Sequence, residues 1–321
     1  MSIDSHGWSS LTAPQALAEY APTATAALND LIAATATVDG QTRPAALFRA
    51  LCAETLSLAP LPAADADVKD VAGWRKAADF SEDERAALAL AEQFSIDVSA
   101  VDDGSRAPFL KAFGASAFAA ARAIYHADFT PRLRHALERL FRPAPAGWAG
   151  VANPSAATGE QVDAAFMEFI RVVYNMHGLD PVLTELVRLR GARQHQCRIC
   201  KSLRAHSALA AGADDAAFAA VDNYADSDLS PRQQAALALA DALIWQPAHI
   251  PDPVIADIRT HFTPPEAVEL VLDVMRNAAN KSAVALGVDA APSDNVQIYD
   301  IDETGAMHVG LERPQVAATV R

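Results

Sequence analysis

Two alanine-rich segments of this chain resemble each other and lie 149 residues apart. FSEDERAALALAEQF occupies residues 80 to 94, and LSPRQQAALALADAL occupies residues 229 to 243. In each, a serine is followed three residues later by Glu or Gln, which is the pattern of a helix N-terminal capping box. The same spacing continues in three more pairs, Val101 with Ile250, Asp103 with Asp252 and Phe113 with Phe262. These matches predict a tandem duplication of one helical domain.

The composition favours helices throughout. Apolar residues make up 51% of the chain, and alanine dominates among them while aromatic residues reach only 7%. Alanine loses no side-chain entropy on entering a helix, so we expect an all-α protein. Residues 14–38 and 44–58 have helical patterns of apolar side chains, and residues 296–311 alternate around an Asp-Glu-Thr-Gly turn, which predicts a short C-terminal β-hairpin.

The charge of the chain excludes some classes of partner. Forty acidic residues stand against 26 basic ones, a formal charge of −14. Such a surface repels phosphate backbones and anionic lipid headgroups, so neither nucleic acid nor a membrane is expected as a partner. The N-terminus has no basic segment followed by an apolar run, and no stretch reaches the roughly 18 apolar residues of a membrane-spanning helix. We expect a cytoplasmic protein.

A proline- and glycine-containing stretch, residues 141 to 160, has the composition of a linker. We therefore predict two domains. Residues 1–148 would form a divergent helical repeat without a CxxC motif, and residues 149–321 would form the repeat that carries CxxC and the C-terminal tail.

The candidate chemistry lies in GARQHQCRICKSLRAH, residues 191 to 206. Cys197 and Cys200 have the spacing of a disulfide, of half a metal site or of a redox pair. A helix predicted from Gln196 to Leu209 places both sulfurs and Arg204 on one face, where the helix N-terminus and the guanidinium would favour a thiolate. The third cysteine, Cys52, lies in an apolar helical pattern and is expected to be a small buried residue.

Two further residues are candidates for proton transfer, because arginine does not release its proton near neutral pH. Glu185 lies twelve residues before Cys197, at the edge of an apolar helical arc, and His195 lies in the turn before the cysteines. An ion pair of Glu185 with Arg188 in its own helix is the competing interpretation for the glutamate. A zinc site that adds His195 and His206 to the cysteines is disfavoured by helix geometry, so we expect neither metal nor cofactor.

The helix PVLTELVRLRGA, the CxxC motif and the glutamate twelve residues before it resemble the alkylhydroperoxidase D-like and carboxymuconolactone decarboxylase superfamily. The run from residue 229 to 288 is similar to that superfamily too, with Asn277 and Asn280 in its closing helix. The resemblance covers most of residues 163 to 289. It departs from the family at Arg204, where the peroxidases have histidine, and at Ile199, which is histidine in some members.

This resemblance implies a repeated all-α domain and a peroxidase that reduces hydroperoxides with its thiol pair. Cys200 would match the attacking thiolate, Cys197 the resolving thiol and Glu185 the proton-relay carboxylate. Arg204 and His195 complete the predicted site. A small-molecule hydroperoxide and an external dithiol reductant are the implied partners, and the ring assembly of single-repeat relatives suggests a homo-oligomer, with a trimer as our guess.

Two other functions stay open at this point. One is a lyase acting on a small carboxylated lactone, as in the decarboxylase branch of the superfamily, which does not need cysteines. The other is a non-catalytic helical scaffold in which the two thiols act as a redox switch. The half without CxxC is expected to have a structural role.

Overall fold

A computed structural model describes residues 6–63, 68, 71–144, 148 and 157–314. Within these residues the helices are α1 His6–Ser10, α2 Ala13–Tyr20, α3 Pro22–Ala34, α4 Thr42–Leu56, α5 Glu82–Asp97, α6 Asp103–Phe113, α7 Ala117–Leu140, α8 Gly159–Tyr174, α9 Pro181–Gln194, α10 Arg198–Lys201, α11 His206–Ala210, α12 Asp215–Ala220, α13 Pro231–Trp245, α14 Asp252–His261, α15 Pro264–Ala278 and α16 Lys281–Leu286. The strands are β1 Leu203–Ala205, β2 Gln297–Ile301 and β3 Met307–Val309. The predicted all-α class is confirmed, with one small sheet near the C-terminus.

The two alanine-rich segments form α5 and α13, and both have the predicted capping boxes. The hydroxyl of Ser81 accepts a hydrogen bond from the backbone N–H of Glu84, and Ser230 does the same for Gln233. In each box the residue three positions on also reaches back to the backbone N–H of the serine. These bonds satisfy N–H groups that have no partner inside the helix and so fix where each helix begins.

The elements that follow α5 and α13 occur in the same order. A 3₁₀ turn comes next in both cases, at Val98–Ala100 and at Pro247–His249, and these turns are 149 residues apart. Then come α6 and α14. This shared order agrees with the duplication, which stays a prediction.

The helical pattern over residues 14–38 gives two helices, α2 and α3, instead of one. The break falls at Ala21, whose backbone φ of −139° is not helical. Pro22 begins α3 because a proline lacks the N–H that a helix interior requires, whereas the first position of a helix does not need it.

The hydrophobic core is continuous across both predicted domains. The 24-residue helix α7 lies at its centre and packs against α4 in the first half and α15 in the second. Buried hydrogen bonds also join the halves, since the Tyr125 hydroxyl donates to the Met275 carbonyl at 2.7 Å. Much of the predicted linker, including residues 149–156 at the boundary itself, lies outside the described residues, and the division at 148/149 stays a prediction.

A group of charges is buried inside this core. Asp128 of α7 accepts hydrogen bonds from Arg132 Nε at 3.0 Å and from Lys281 Nζ at 2.6 Å. All three side chains are buried, and burial lowers the pKa of Lys281 to about 8. The carboxylate thus compensates two cations in a place that water does not reach.

The predicted C-terminal hairpin is confirmed by β2 and β3, which pair antiparallel with Asp300 opposite His308. It packs on a third strand that the sequence patterns did not predict. This strand, β1, pairs parallel with β2, so that Arg204 lies opposite Ile298. The edge of the hairpin is therefore joined to the segment that follows the cysteines.

None of the helices in the described part of the chain is both long enough and apolar enough to cross a membrane.

Candidate functional site

The two predicted redox cysteines form a disulfide, Cys197–Cys200. Cys197 immediately precedes the short helix α10, and its sulfur accepts a hydrogen bond from the backbone N–H of Cys200 at 3.3 Å. Both residues are buried, and Cys200 retains 6% of its surface while Cys197 retains 1%. The pair is thus preformed by local backbone structure.

The helix predicted from Gln196 to Leu209 is wrong. Helix α10 ends at Lys201, and the chain then enters strand β1. The carbonyl of Ser202 accepts from the backbone N–H of Gln297 at 2.8 Å, a bond that replaces the one a continued helix would make to His206. Pairing with a strand almost a hundred residues away therefore prevails over local helix propensity.

Cys200 lines a cavity of about 240 Å³ beside the disulfide. Helix α8 and the β2–β3 hairpin form much of its wall, and α15 closes another side. Its apolar lining includes Phe166, Met167, Ile170, Ile199, Leu203 and Met307. A mostly apolar cavity beside a sulfur is suited to an organic molecule of modest size.

Glu185 is fully buried in α9, where it pairs with Arg188. Its Oε2 accepts from Arg188 Nε at 2.6 Å and its Oε1 from Arg188 Nη2 at 2.7 Å. Oε1 also accepts from the backbone N–H of Ala205 at 3.1 Å. The intrahelical ion pair is therefore the arrangement that forms, and Glu185 lines a neighbouring cavity instead of the one at Cys200.

Arg188 connects this ion pair to the cysteine segment. Its Nη1 donates to the carbonyl of Cys200 and its Nη2 to the carbonyl of Leu203, each at 2.8 Å, and the guanidinium lies 5.4 Å from the centre of the Tyr299 ring. Burial alone would lower the pKa of Arg188, but the Glu185 carboxylate raises it above its ordinary value. The sequence analysis did not include Arg188 in the site, although its spacing of three from Glu185 was the available signal.

His195 is buried in the turn before the cysteines. Its ring meets the Phe129 ring edge-on with centroids 6.5 Å apart, and its Nε2 has no hydrogen-bond partner among the described residues. Burial, reinforced by the charges of Lys281 and Arg132, holds the pKa of His195 well below its ordinary value. The imidazole is therefore neutral at neutral pH.

Arg204 does not share a helical face with the sulfurs, because it lies in β1. Its Nη1 donates to the carbonyls of Lys201 and Leu203 at 3.0 and 2.7 Å, and its guanidinium lies 5.2 Å from the centre of the Phe218 ring. Burial, with a contribution from Arg188, lowers its pKa. The predicted effect of Arg204 on the cysteines rested on the helix that does not form.

Two residues of the cavity wall were not assigned a role from sequence. Arg276 of α15 donates through Nε to Asp273 at 2.9 Å and lies 5.3 Å from the centre of the Tyr174 ring. The side-chain nitrogen of Asn277 is buried and has no hydrogen-bond partner among the described residues. The spacing of these residues from the cysteines in sequence gave no sign that they meet.

No group of three or more His, Cys, Asp or Glu side chains is arranged to hold a metal ion in the part of the chain that the structure describes.

Comparison with known proteins finds relatives in Mycobacterium tuberculosis. Uncharacterized protein Rv2313c of strain H37Rv is 42% identical to this chain over 275 residues, which cover 82% of this chain and 90% of the relative. Uncharacterized protein MT2376 of strain CDC 1551 matches with the same identity and coverage. No protein-family model matches the chain. No solved structure is significantly similar to it.

Proposed function

We propose that this chain, which belongs to the same family as Rv2313c of M. tuberculosis, is a thiol-dependent peroxidase related to the alkylhydroperoxidase D-like superfamily. The observation that carries the proposal is the position of Cys200, which is joined to Cys197 and lines an apolar cavity of about 240 Å³. A redox-active sulfur beside a space for an organic molecule is the minimum that such a reaction needs.

The cycle begins with both thiols reduced. The Cys200 thiolate attacks the terminal oxygen of the hydroperoxide, the O–O bond breaks, and the bonding electron pair leaves with the alkoxide, which takes a proton to become an alcohol. Cys200 is thereby oxidised to a sulfenic acid. The Cys197 sulfur then attacks the Cys200 sulfur, which forms the disulfide and releases water. An external dithiol reopens this bond and is itself oxidised to a disulfide.

Glu185 and Arg188 act in this proposal as positioning residues. Arg188 donates to the carbonyls of Cys200 and Leu203, and Glu185 holds Arg188 through two hydrogen bonds. The pair would keep the cysteine segment in place while the disulfide opens and closes. Glu185 would then contribute through Arg188, whereas the resemblance had implied a proton relay.

The hydrogen bond from the Cys200 N–H to the Cys197 sulfur favours a thiolate on Cys197 in the reduced protein. The cavity, in contrast, adjoins Cys200. We assign the attack on peroxide to Cys200 because the substrate has to reach the sulfur, and single substitutions distinguish the two assignments.

The test mixes fully reduced protein with cumene hydroperoxide and measures peroxide loss together with free thiols. The wild type should lose two thiols for each peroxide consumed. Cys200→Ser should consume none, and Cys197→Ser should stop after one oxidised sulfur. Cys52→Ala serves as the matched control, since Cys52 is fully buried and its pKa is raised to about 12 by burial. It should behave as the wild type.

Repeated turnover with a dithiol reductant separates an enzyme from a redox-switched scaffold, which would react once and stop. Peroxide consumption that is unchanged in Cys200→Ser would refute the thiol mechanism. Decarboxylation of a carboxylated lactone by that variant would support the lyase instead.

The setting that we propose for this reaction is the cytoplasm, where reducing conditions supply dithiols. We propose a homo-oligomer as the working form, with three chains as the first assembly to test. Sedimentation or gel filtration of the native protein would decide between this and a monomer.

A further inference from the structure

The arginines in the wall of the Cys200 cavity each pair with a carboxylate of their own helix that lies outside the lining. Three arginines line it, Arg171, Arg188 and Arg276, and no Asp or Glu is found among its described lining residues. Because each of these arginines already has a carboxylate partner, the wall can bind an anion only through guanidinium donors that those partners leave unused.

The three arginines differ in how fully their donors are used. Arg171 makes two hydrogen bonds to Glu168, and Arg188 is occupied by Glu185 and by two carbonyls. Arg276 donates only through Nε, to Asp273, and its Nη1 and Nη2 have no hydrogen-bond partner among the described residues. Arg276, which lines this cavity and the neighbouring one, therefore has two charged donors that no described residue occupies.

Asn277 is a lining residue whose side-chain nitrogen is a neutral donor buried next to the same wall. This nitrogen faces no acceptor among the described residues. A buried N–H group without a partner costs free energy that a bound acceptor would recover. Two kinds of unused donor at one wall call for a ligand with several acceptor atoms, and a carboxylate has them.

The remaining lining residues indicate the size and polarity of the rest of this ligand. Phe166, Ile170, Leu203 and Met307 present apolar surface, and the cavity volume of about 240 Å³ is below the roughly 300–1,000 Å³ of drug-sized sites. The space suits a compact apolar group of about one ring.

We propose that the cavity binds an organic hydroperoxide with a compact apolar body and a carboxylate, and that the carboxylate accepts hydrogen bonds from Arg276 and Asn277. The inference that the ligand carries a peroxide group depends on the proposed function. The inference that it carries a carboxylate depends only on the residues of the cavity wall.

The test uses two probes with the same peroxide group, 4-(2-hydroperoxypropan-2-yl)benzoic acid and its methyl ester. Charged hydrogen bonds are worth enough to give the acid a preference of about tenfold or more in kcat/KM with the wild type. In Arg276→Gln this preference should fall to within about twofold through a higher KM for the acid.

Arg190→Gln is the matched control. Like Arg276, Arg190 pairs with an aspartate and lies near a tyrosine ring, Asp241 and Tyr224 at 5.1 Å, but it is outside the cavity and all its donor groups are occupied. It should keep the preference for the acid. Asn277→Leu is a second cavity variant. It keeps the buried ion pair between Arg276 and Asp273, so the test can be carried out even if Arg276→Gln does not fold.

A binding measurement separates this inference from the proposed function. Calorimetry compares the stable alcohols, 4-(2-hydroxypropan-2-yl)benzoic acid and its methyl ester, on the oxidised protein. Tighter binding of the acid that is lost in Asn277→Leu and Arg276→Gln supports the cavity assignment even if no peroxide turns over. Peroxide turnover with equal kcat/KM and equal affinity for acid and ester would overturn the assignment and leave the peroxidase standing.

Discussion

We predict that two buried histidines set much of the acid sensitivity of this fold. His126 and His195 are both buried, and burial is the main reason why the pKa of each lies well below its ordinary value. In the unfolded chain each imidazole would take up a proton near pH ~6.5. Below that pH the unfolded state binds more protons than the folded state, so the free energy of unfolding falls as the pH falls.

The size of the effect follows from the width of the pH window. One unit of pH over which a proton is bound only in the unfolded state is worth about 1.4 kcal/mol. Between pH 7 and pH 5 a single histidine with an unfolded pKa of ~6.5 therefore removes about 2 kcal/mol. For a protein of ordinary stability, roughly 5–15 kcal/mol, this is a large share.

His195→Phe is the variant that isolates one of these contributions. The phenylalanine keeps a ring against Phe129. The substitution breaks no hydrogen bond at Nε2, because Nε2 has no partner among the described residues. Urea unfolding at pH 7 and at pH 5 gives the loss of stability for each protein. The variant should lose about 2 kcal/mol less than the wild type between these pH values.

His177→Gln is the control, because His177 is exposed, and it should lose as much as the wild type. Equal losses in His195→Phe and the wild type would refute the reasoning. In that case the imidazole would take up its proton as readily in the folded protein as in the unfolded chain.

Three further outcomes are expected. Asp128→Asn should lower the free energy of unfolding by about 3–5 kcal/mol, because Arg132 would keep its buried charge without a carboxylate and Lys281 would lose the partner that raises its pKa, and chemical denaturation measures this. Burial lowers the pKa of Lys281 to about 8, so between pH 8 and 9.5 the free energy of unfolding of the wild type should rise by about 1–2 kcal/mol relative to Lys281→Met. A fall of the wild type relative to the variant over this range would contradict the lowered pKa. Gly305→Ala should lower the free energy of unfolding by about 1 kcal/mol, because the backbone φ of +88° at this position strains any residue with a Cβ. Faster amide hydrogen exchange in the hairpin would show this loss of stability.

The parts of the fold that depend on neighbouring residues could be predicted from the sequence. The capping boxes at Ser81 and Ser230 and the C-terminal hairpin each follow from a pattern within a short stretch. Strand β1 could not be predicted in this way, because three residues become a strand only through pairing with β2, far along the chain. The predicted helix over the cysteines failed for the same reason.

The candidate site was predictable to a similar degree. The CxxC spacing was sufficient to predict that Cys197 and Cys200 act as a pair, which the disulfide supports. The cavity beside them is assembled from α8, α15 and the hairpin, and no periodicity in the sequence links Arg276 to Cys200. Glu185 was selected because it lies at the edge of an apolar arc, twelve residues before Cys197, and the competing interpretation, an ion pair with Arg188, is the one that forms.

The parallel pairing of β1 with β2 has a consequence for the order in which the site is completed. On the ribosome, β1 is synthesised more than ninety residues before its partner, since Leu203 pairs with Gln297. Until β2 and β3 arrive, the cavity lacks the wall that Tyr299, Ile301 and Met307 provide. A chain synthesised only as far as α15 therefore cannot enclose Cys200, and completion of the cavity depends on residues 297–309.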